Sequence, residues 1–256
     1  MVGLLRAELI KLVKRRTYWV LLIVLAALTG LLAFIFFVLP QIIGASDGEQ
    51  GFPDLQKPGA YIFGAQQVLG QTWFPLILAV MFLAGELATS TWATALTRNA
   101  RRWQHLVARL VVVTGGAWVA MLISIGAFGV ATYLFAEGSG FPSGSEIVGV
   151  VWKSLLVMTT WVALGFAASA WLRSVGPAIG AVLAFSFGEG LLALWEGWRN
   201  VSLSIHTSAL LGSLDIGGFG ELLGGDISFG RGLTVVLVWA MVSLSAAWAG
   251  LQLKDA

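Results

Sequence analysis

FLAGELATSTWATALTRNARRWQHLVAR, residues 82–109, decides how the rest of the chain is read. Long apolar segments flank it on both sides, yet it carries Arg98, Arg101, Arg102 and Arg109, with Glu86 as its one acid. Few helix breakers interrupt it. A polar, helix-compatible stretch of this length between two apolar segments projects from a bilayer, and its arginines mark the side on which it does so.

The composition agrees with a bilayer. Of 256 residues, 58% are hydrophobic and 11% charged, with a mean hydropathy of +0.87. A soluble domain of this size carries about 25% charged residues. Several runs exceed the roughly 20 apolar residues needed to cross the hydrocarbon core. No series of strands of about 10 residues with alternating polarity is present, which excludes a membrane barrel and leaves helices, the other backbone that lipid tolerates. The expected fold is all-α: a polytopic membrane protein with six transmembrane helices, forming one domain over residues 1–256. Cysteine is absent, so disulfides, thiolate metal sites and thiol nucleophiles are excluded.

Residues 1–17, MVGLLRAELIKLVKRRT, have the pattern of an amphipathic helix. At about 100° per residue, Val2, Leu5, Leu9, Leu12 and Val13 share one side, with Glu8, Lys11, Lys14 and Arg15 on the other. Such a helix lies in the headgroup plane, apolar side down. A signal peptide fits less well. The apolar run from Tyr18 to Leu39 is longer than an h-region of about 7–15 residues, and no clear small-residue cleavage site follows.

The six spans are expected at 18–39, 72–87, 106–135, 147–172, 178–195 and 232–253. Polar loops occupy 40–71 and 196–231, and a cytoplasmic helix fills 88–105. Six spans put both termini on one side. Eleven of the fifteen Lys and Arg residues fall on that side and four (Lys57, Lys153, Arg199 and Arg231) on the other, which makes the termini cytoplasmic. The expected location is the plasma or inner membrane.

Chemistry-bearing motifs are few. No G-x-x-x-x-G-K-[ST] occurs, and GGFGELLGGD has no lysine. His105 and His206 are expected in loops on opposite faces, as ordinary interfacial residues. The chain is not expected to be an enzyme, to hold a cofactor or metal, or to bind nucleic acid. Glu86, a carboxylate at the edge of the hydrocarbon, needs a partner. It either caps the helix that follows, meeting the positive end of the dipole, or pairs with a base of the N-terminal helix or of Arg98–Arg102. Glu189, inside span five, either reaches the outer headgroups or faces other helices and lines a substrate route, where burial would cost at least about 2.5–3.5 kcal/mol. Gly176 and Gly180 permit close helix approach. Thr89–Trp103 is either a loop that fixes topology or a docking helix with Trp92 and Trp103 as apolar anchors and arginines at the rim; its length favours docking.

Two motifs carry a family resemblance. LLRAELIKLVKRRTYWVLL places an acid, a lysine and a basic cluster (Glu8, Lys11, Arg15 and Arg16) before span one. FLAGELATSTWATALTRNARRW places Glu86, Thr91, Leu96, Arg101 and Arg102 before span three, with Ser90 where glycine is common. Together they resemble the permease subunits of ABC-2 type ATP-binding cassette exporters. The resemblance implies an interfacial N-terminal helix and a coupling helix after span two. It also implies short re-entrant helices between spans five and six, and pairing with a second permease copy or a related permease. A separate ATPase subunit, which holds the ATP and magnesium, would dock on Thr91, Trp92, Leu96, Arg98, Arg101 and Arg102. Glu8, Lys11, Arg15, Arg16 and Glu86 would carry the coupling. A stand-alone secondary transporter, or a non-transporting anchor or sensor subunit, is the alternative. Substrate identity is not readable.

Overall fold

The computed structural model describes residues 1–39, 42, 59–89, 102–135, 142–192, 195–211 and 227–253. All regular structure among them is helical. In chain order these are α1 (Val2–Lys14), α2 (Arg16–Ala33, widening to a π turn over Phe34–Val38), α3 (Gly59–Leu69), α4 (Trp73–Ala88) and α5 (Arg102–Phe135). They continue with α6 (Gly144–Leu172), α7 (Val175–Leu192), α8 (Glu196–Arg199), α9 (Leu203–Leu211) and α10 (Phe229–Leu253).

Six segments are long and apolar enough to cross a membrane: Arg16–Val38, Gly64–Ala88, Trp103–Phe135, Gly144–Leu172, Val175–Leu192 and Phe229–Leu253. This fits a multi-pass membrane protein. The shortest, α7, has 18 residues, about 27 Å at 1.5 Å per residue, slightly less than a core of about 30 Å. The longest, α5, has 34 residues, about 51 Å. It therefore overruns the hydrocarbon by several turns, enough to carry polar residues at its start.

Local chemistry sets several boundaries. Pro75 stands in the first turn of α4, where its missing N–H breaks no helical bond. Ser143 and Glu146 form a capping box: the Ser143 hydroxyl accepts from the Glu146 N–H at 3.4 Å, and the Glu146 carboxylate accepts from the Ser143 N–H at 2.7 Å. This box starts α6 at Gly144, three residues before the expected span. At the other end Arg173 adopts the left-handed conformation (φ 51°), ending α6 so that α7 starts at Val175. Helix α3 lies inside the segment expected as a polar loop. Its sequence, GAYIFGAQQVL, is apolar enough to pack against α5.

α4 is the centre of the bundle. In the crossing segment that contains it, 67% of the apolar window is buried, against 17% for those of α2 and α7. It packs most extensively on α6, which in turn packs on α10. Small residues allow both approaches. A Cβ at Gly165 would lie 2.7 Å from Ala79 Cβ, and one at Gly250 would lie 3.1 Å from Ala170 Cβ. Gly176 and Gly180 have no such neighbour: a Cβ at either meets nothing within 4 Å. The close glycine approaches between α4, α6 and α10 are thus at Gly165 and Gly250, while Gly176 and Gly180 of α7 are open.

Candidate functional site

The start of α5, the end of α4 and helix α1 converge on a cluster of five charged side chains. Glu86 is in the last turn of α4, where its own helix presents the negative end of its dipole and offers no stabilisation. Compensation comes from three bases. Arg15, in the bend between α1 and α2, reaches Glu86 Oε1 at 3.1 Å and donates to the Met81 carbonyl at 2.7 Å. Its guanidinium lies 4.7 Å from the centre of the Phe82 ring. Gly85 lies directly beneath it: a Cβ there would be in ordinary contact with Arg15 Nη1, at 3.6 Å. Lys11 Nζ bridges the acids, 3.0 Å from Glu8 Oε1 and 3.4 Å from Glu86 Oε1. Arg109, wholly buried, places Nε 3.5 Å from Glu8 Oε1 and pairs through Nη2 with Glu86 Oε2.

Two carboxylates and three bases thus alternate, and every acid touches at least two bases. Isolated charges in such a place would cost several kcal/mol each; pairing and hydrogen bonding offset that. The arrangement holds no nucleophile. Among the described residues no group of three His, Asp or Glu side chains could hold a metal ion. What the cluster does is mechanical: it fixes α1 to α4 and α5, the helices on either side of residues 90–101.

The same contacts decide how α1 lies. Its buried residues are Glu8 and Leu12, and Leu12 fits against Gly116 of α5, where an added Cβ would lie 2.6 Å from Leu12 Cδ2. Val2, Leu9, Ile10 and Val13 are exposed. The acidic side of the helix faces protein and much of its apolar side faces outward, the reverse of a helix on a soluble protein.

Of the residues singled out in the sequence, Glu8, Lys11, Arg15 and Glu86 come together. Arg16 does not: its side chain is exposed. Thr91, Trp92, Leu96, Arg98 and Arg101 lie outside the described residues, as does most of the expected 88–105 helix; Arg102 opens α5. Trp103 is exposed. Arg109 belongs to the cluster although the sequence reading used it only as a topology charge. An arginine inside an apolar span demands a partner just as Glu189 does, and that signal could have found it. His105 and His206, expected at loop positions, lie buried on α5 and α9.

Glu189 is fully buried. Its Oε1 accepts from the Ser202 hydroxyl at 3.1 Å, the Ser204 N–H at 3.1 Å and the Leu203 N–H. It is the acceptor at the N-terminus of α9, meeting N–H groups that the helix itself leaves unsatisfied. This oxygen meets another helix, and its target there is the start of α9. A cavity of about 330 Å³ lies beside it, lined by Ser186, Phe187 and Gly190 of α7, Ser204 and Thr207 of α9, and Gln66, Thr72, Trp73 and Trp161. On α9 the His206 ring donates from Nδ1 to the Ser202 carbonyl, 2.7 Å away, while Trp239 donates to the Val201 carbonyl at 2.7 Å and Arg231 to Asn200 at 2.6 Å. These bonds tie the segment after α7 to α10.

No protein-family model matches the chain, and no curated protein matches it.

Proposed function

We propose that this chain is the membrane permease subunit of an ABC-2 type exporter, working with a separate ATPase subunit that docks on residues 88–105 from the cytoplasm. The observation that carries the reading is the Glu8–Lys11–Arg15–Glu86–Arg109 cluster. A loop that only fixed topology would need no such anchorage. A lever needs a rigid base, and here the helices before and after the arginine-bearing segment are clamped to each other and to α1. A displacement of that segment is passed to the ends of α4 and α5 instead of being absorbed by slack.

Two further features support the reading. The windows of α2 and α7 are the least buried of the six, and α7 presents Gly176 and Gly180 unfilled; a second permease copy packing there would complete the assembly, with the cargo path between the two. In addition, the cap on Glu189 holds α9 as a short helix folded back beside α7, α6 and α10, as re-entrant helices on the outer face would be. The secondary-transporter alternative leaned on Glu189, whose Oε1 is committed to α9. ATP and magnesium belong to the partner, and the residues of this chain supply grip and transmission.

The test is co-purification with a P-loop ATPase expressed alongside. Replacing Trp92, Arg98, Arg101 and Arg102 by alanine is expected to release the ATPase while the permease still elutes as a folded species. Retention of the ATPase by that variant would remove the docking assignment.

A further inference from the structure

A groove of about 540 Å³ runs between α1 and α5, and neither the cluster nor the docking segment uses it. One wall is the exposed apolar side of α1: Val2, Leu9 and Val13. The other is α5, where Val111 and Val119 are exposed and Gly115 lies between them. The volume falls within the about 300–1,000 Å³ of small-molecule sites. Gly115 makes the space: a Cβ there meets nothing within 4 Å, whereas at the adjacent Gly116 it would strike Leu12. The groove is a cleft between two packed helices, closed at its floor by Leu12.

Its charge is one-signed. Arg6 lines the groove. Among the described residues Arg6 forms no ion pair, and Lys14 at the end of α1 and Arg16 at the start of α2 are likewise exposed and unpaired. The acids that could neutralise them, Glu8 and Glu86, are occupied by Lys11, Arg15 and Arg109. Lys11 and Arg15 are thus engaged by the cluster, while Arg6 is left exposed at the edge of the apolar slot.

We infer that this groove binds one molecule of an anionic glycerophospholipid, an acyl chain lying along Gly115 between α1 and α5 and the phosphate at Arg6. An apolar slot with a cationic rim matches the two halves of that amphiphile, and a zwitterionic lipid would forfeit the charge term. The inference rests on α1 lying at the membrane surface. It is independent of the permease reading, because the binding is measured with no ATPase present.

The experiment is native mass spectrometry of the purified full chain in detergent, titrated with dioleoyl phosphatidylglycerol or dioleoyl phosphatidylcholine. Wild type is expected to retain one phosphatidylglycerol in preference to phosphatidylcholine. Gly115→Leu fills the slot and is expected to weaken that binding by about tenfold, and Arg6→Ala to reduce the headgroup preference by about fivefold, the worth of one surface cation. Gly149→Leu on α6, also open to 4 Å, serves as the control and is expected to bind as wild type. Equal retention of both lipids, wild-type binding by Gly115→Leu, or equal loss in Gly149→Leu would each overturn the proposal. So would a Gly115→Leu protein that keeps the lipid but loses a second copy, since the groove would then be a subunit contact.

Discussion

Replacing Glu86 by glutamine removes one unit of charge from the cluster and leaves the side-chain shape nearly unchanged. Three bases then face one acid, Glu8. The loss is unequal among them. Lys11 and Arg15 are 43% and 30% exposed in their side chains, so water screens them and each contributes at most about 1 kcal/mol. Arg109 is fully buried and loses its Glu86 partner while keeping the Glu8 contact at 3.5 Å. Stranding a buried partner costs about 3–5 kcal/mol, and the remaining acid places the expected loss near the lower end, about 3 kcal/mol. For a chain of this size that corresponds to a fall in Tm of about 6–12 °C. The assay is thermal unfolding in detergent, followed by fluorescence-detected size exclusion. Arg109→Met completes a double-mutant cycle: Glu86 keeps Lys11 and Arg15, so the change is expected to cost less, and the double variant is expected to be more stable than the sum of the two losses predicts. A Glu86→Gln protein that melts with wild type, or single effects that add, would show that the charges are neighbours without being coupled.

Gly165→Leu is expected to prevent folding, because the new side chain meets Ala79 and the Leu76 carbonyl where α4 and α6 touch; surface expression and size exclusion report it. Gly176→Leu and Gly180→Leu, with nothing within 4 Å, are expected to leave the monomer folded and to weaken self-association, read by cross-linking in membranes. Burial, and to a lesser degree the charge of Arg231, hold the His206 pKa below its ordinary value against the opposing pull of the Ser202 carbonyl. The folded form therefore favours the neutral ring. Its contribution is present above the unfolded pKa of about 6.5 and is lost as pH falls below it. Proteolysis around α9 is expected to rise below that pH, and His206→Asn is expected to flatten the dependence.

Much of this architecture is legible in the chain because membrane burial demands long apolar runs, and those runs need no partner to be recognised. The coupling of Glu86 to the N-terminal helix was legible for a similar reason: a carboxylate at the hydrocarbon edge must find a cation, and Lys11 and Arg15 were among those offered. Arg109 escaped because its charge had already been spent on topology, although its depth in the third span posed the same demand. For Glu189 the sequence left outer headgroups and a helix-facing position open, and its target was not legible. Ser202–Ser204 gives no local sign that their N–H groups meet an acid on another helix. Helix α3 was hidden by its setting, an apolar stretch at the end of a segment dominated by Gly, Pro and acids. The open state of Gly176 and Gly180, against the filled approaches at Gly165 and Gly250, depends on which helices become neighbours, and spacing alone does not encode that.

The chain has no cysteine, so one introduced at Trp92 reports on the docking segment without background. Maleimide labelling of Trp92→Cys in cells, with and without a co-expressed P-loop ATPase, is the most direct test. The account predicts no labelling until the cytoplasm is opened, and protection there when the ATPase is present. Labelling from outside intact cells, or reactivity unchanged by an ATPase that co-purifies with the wild type, would contradict it.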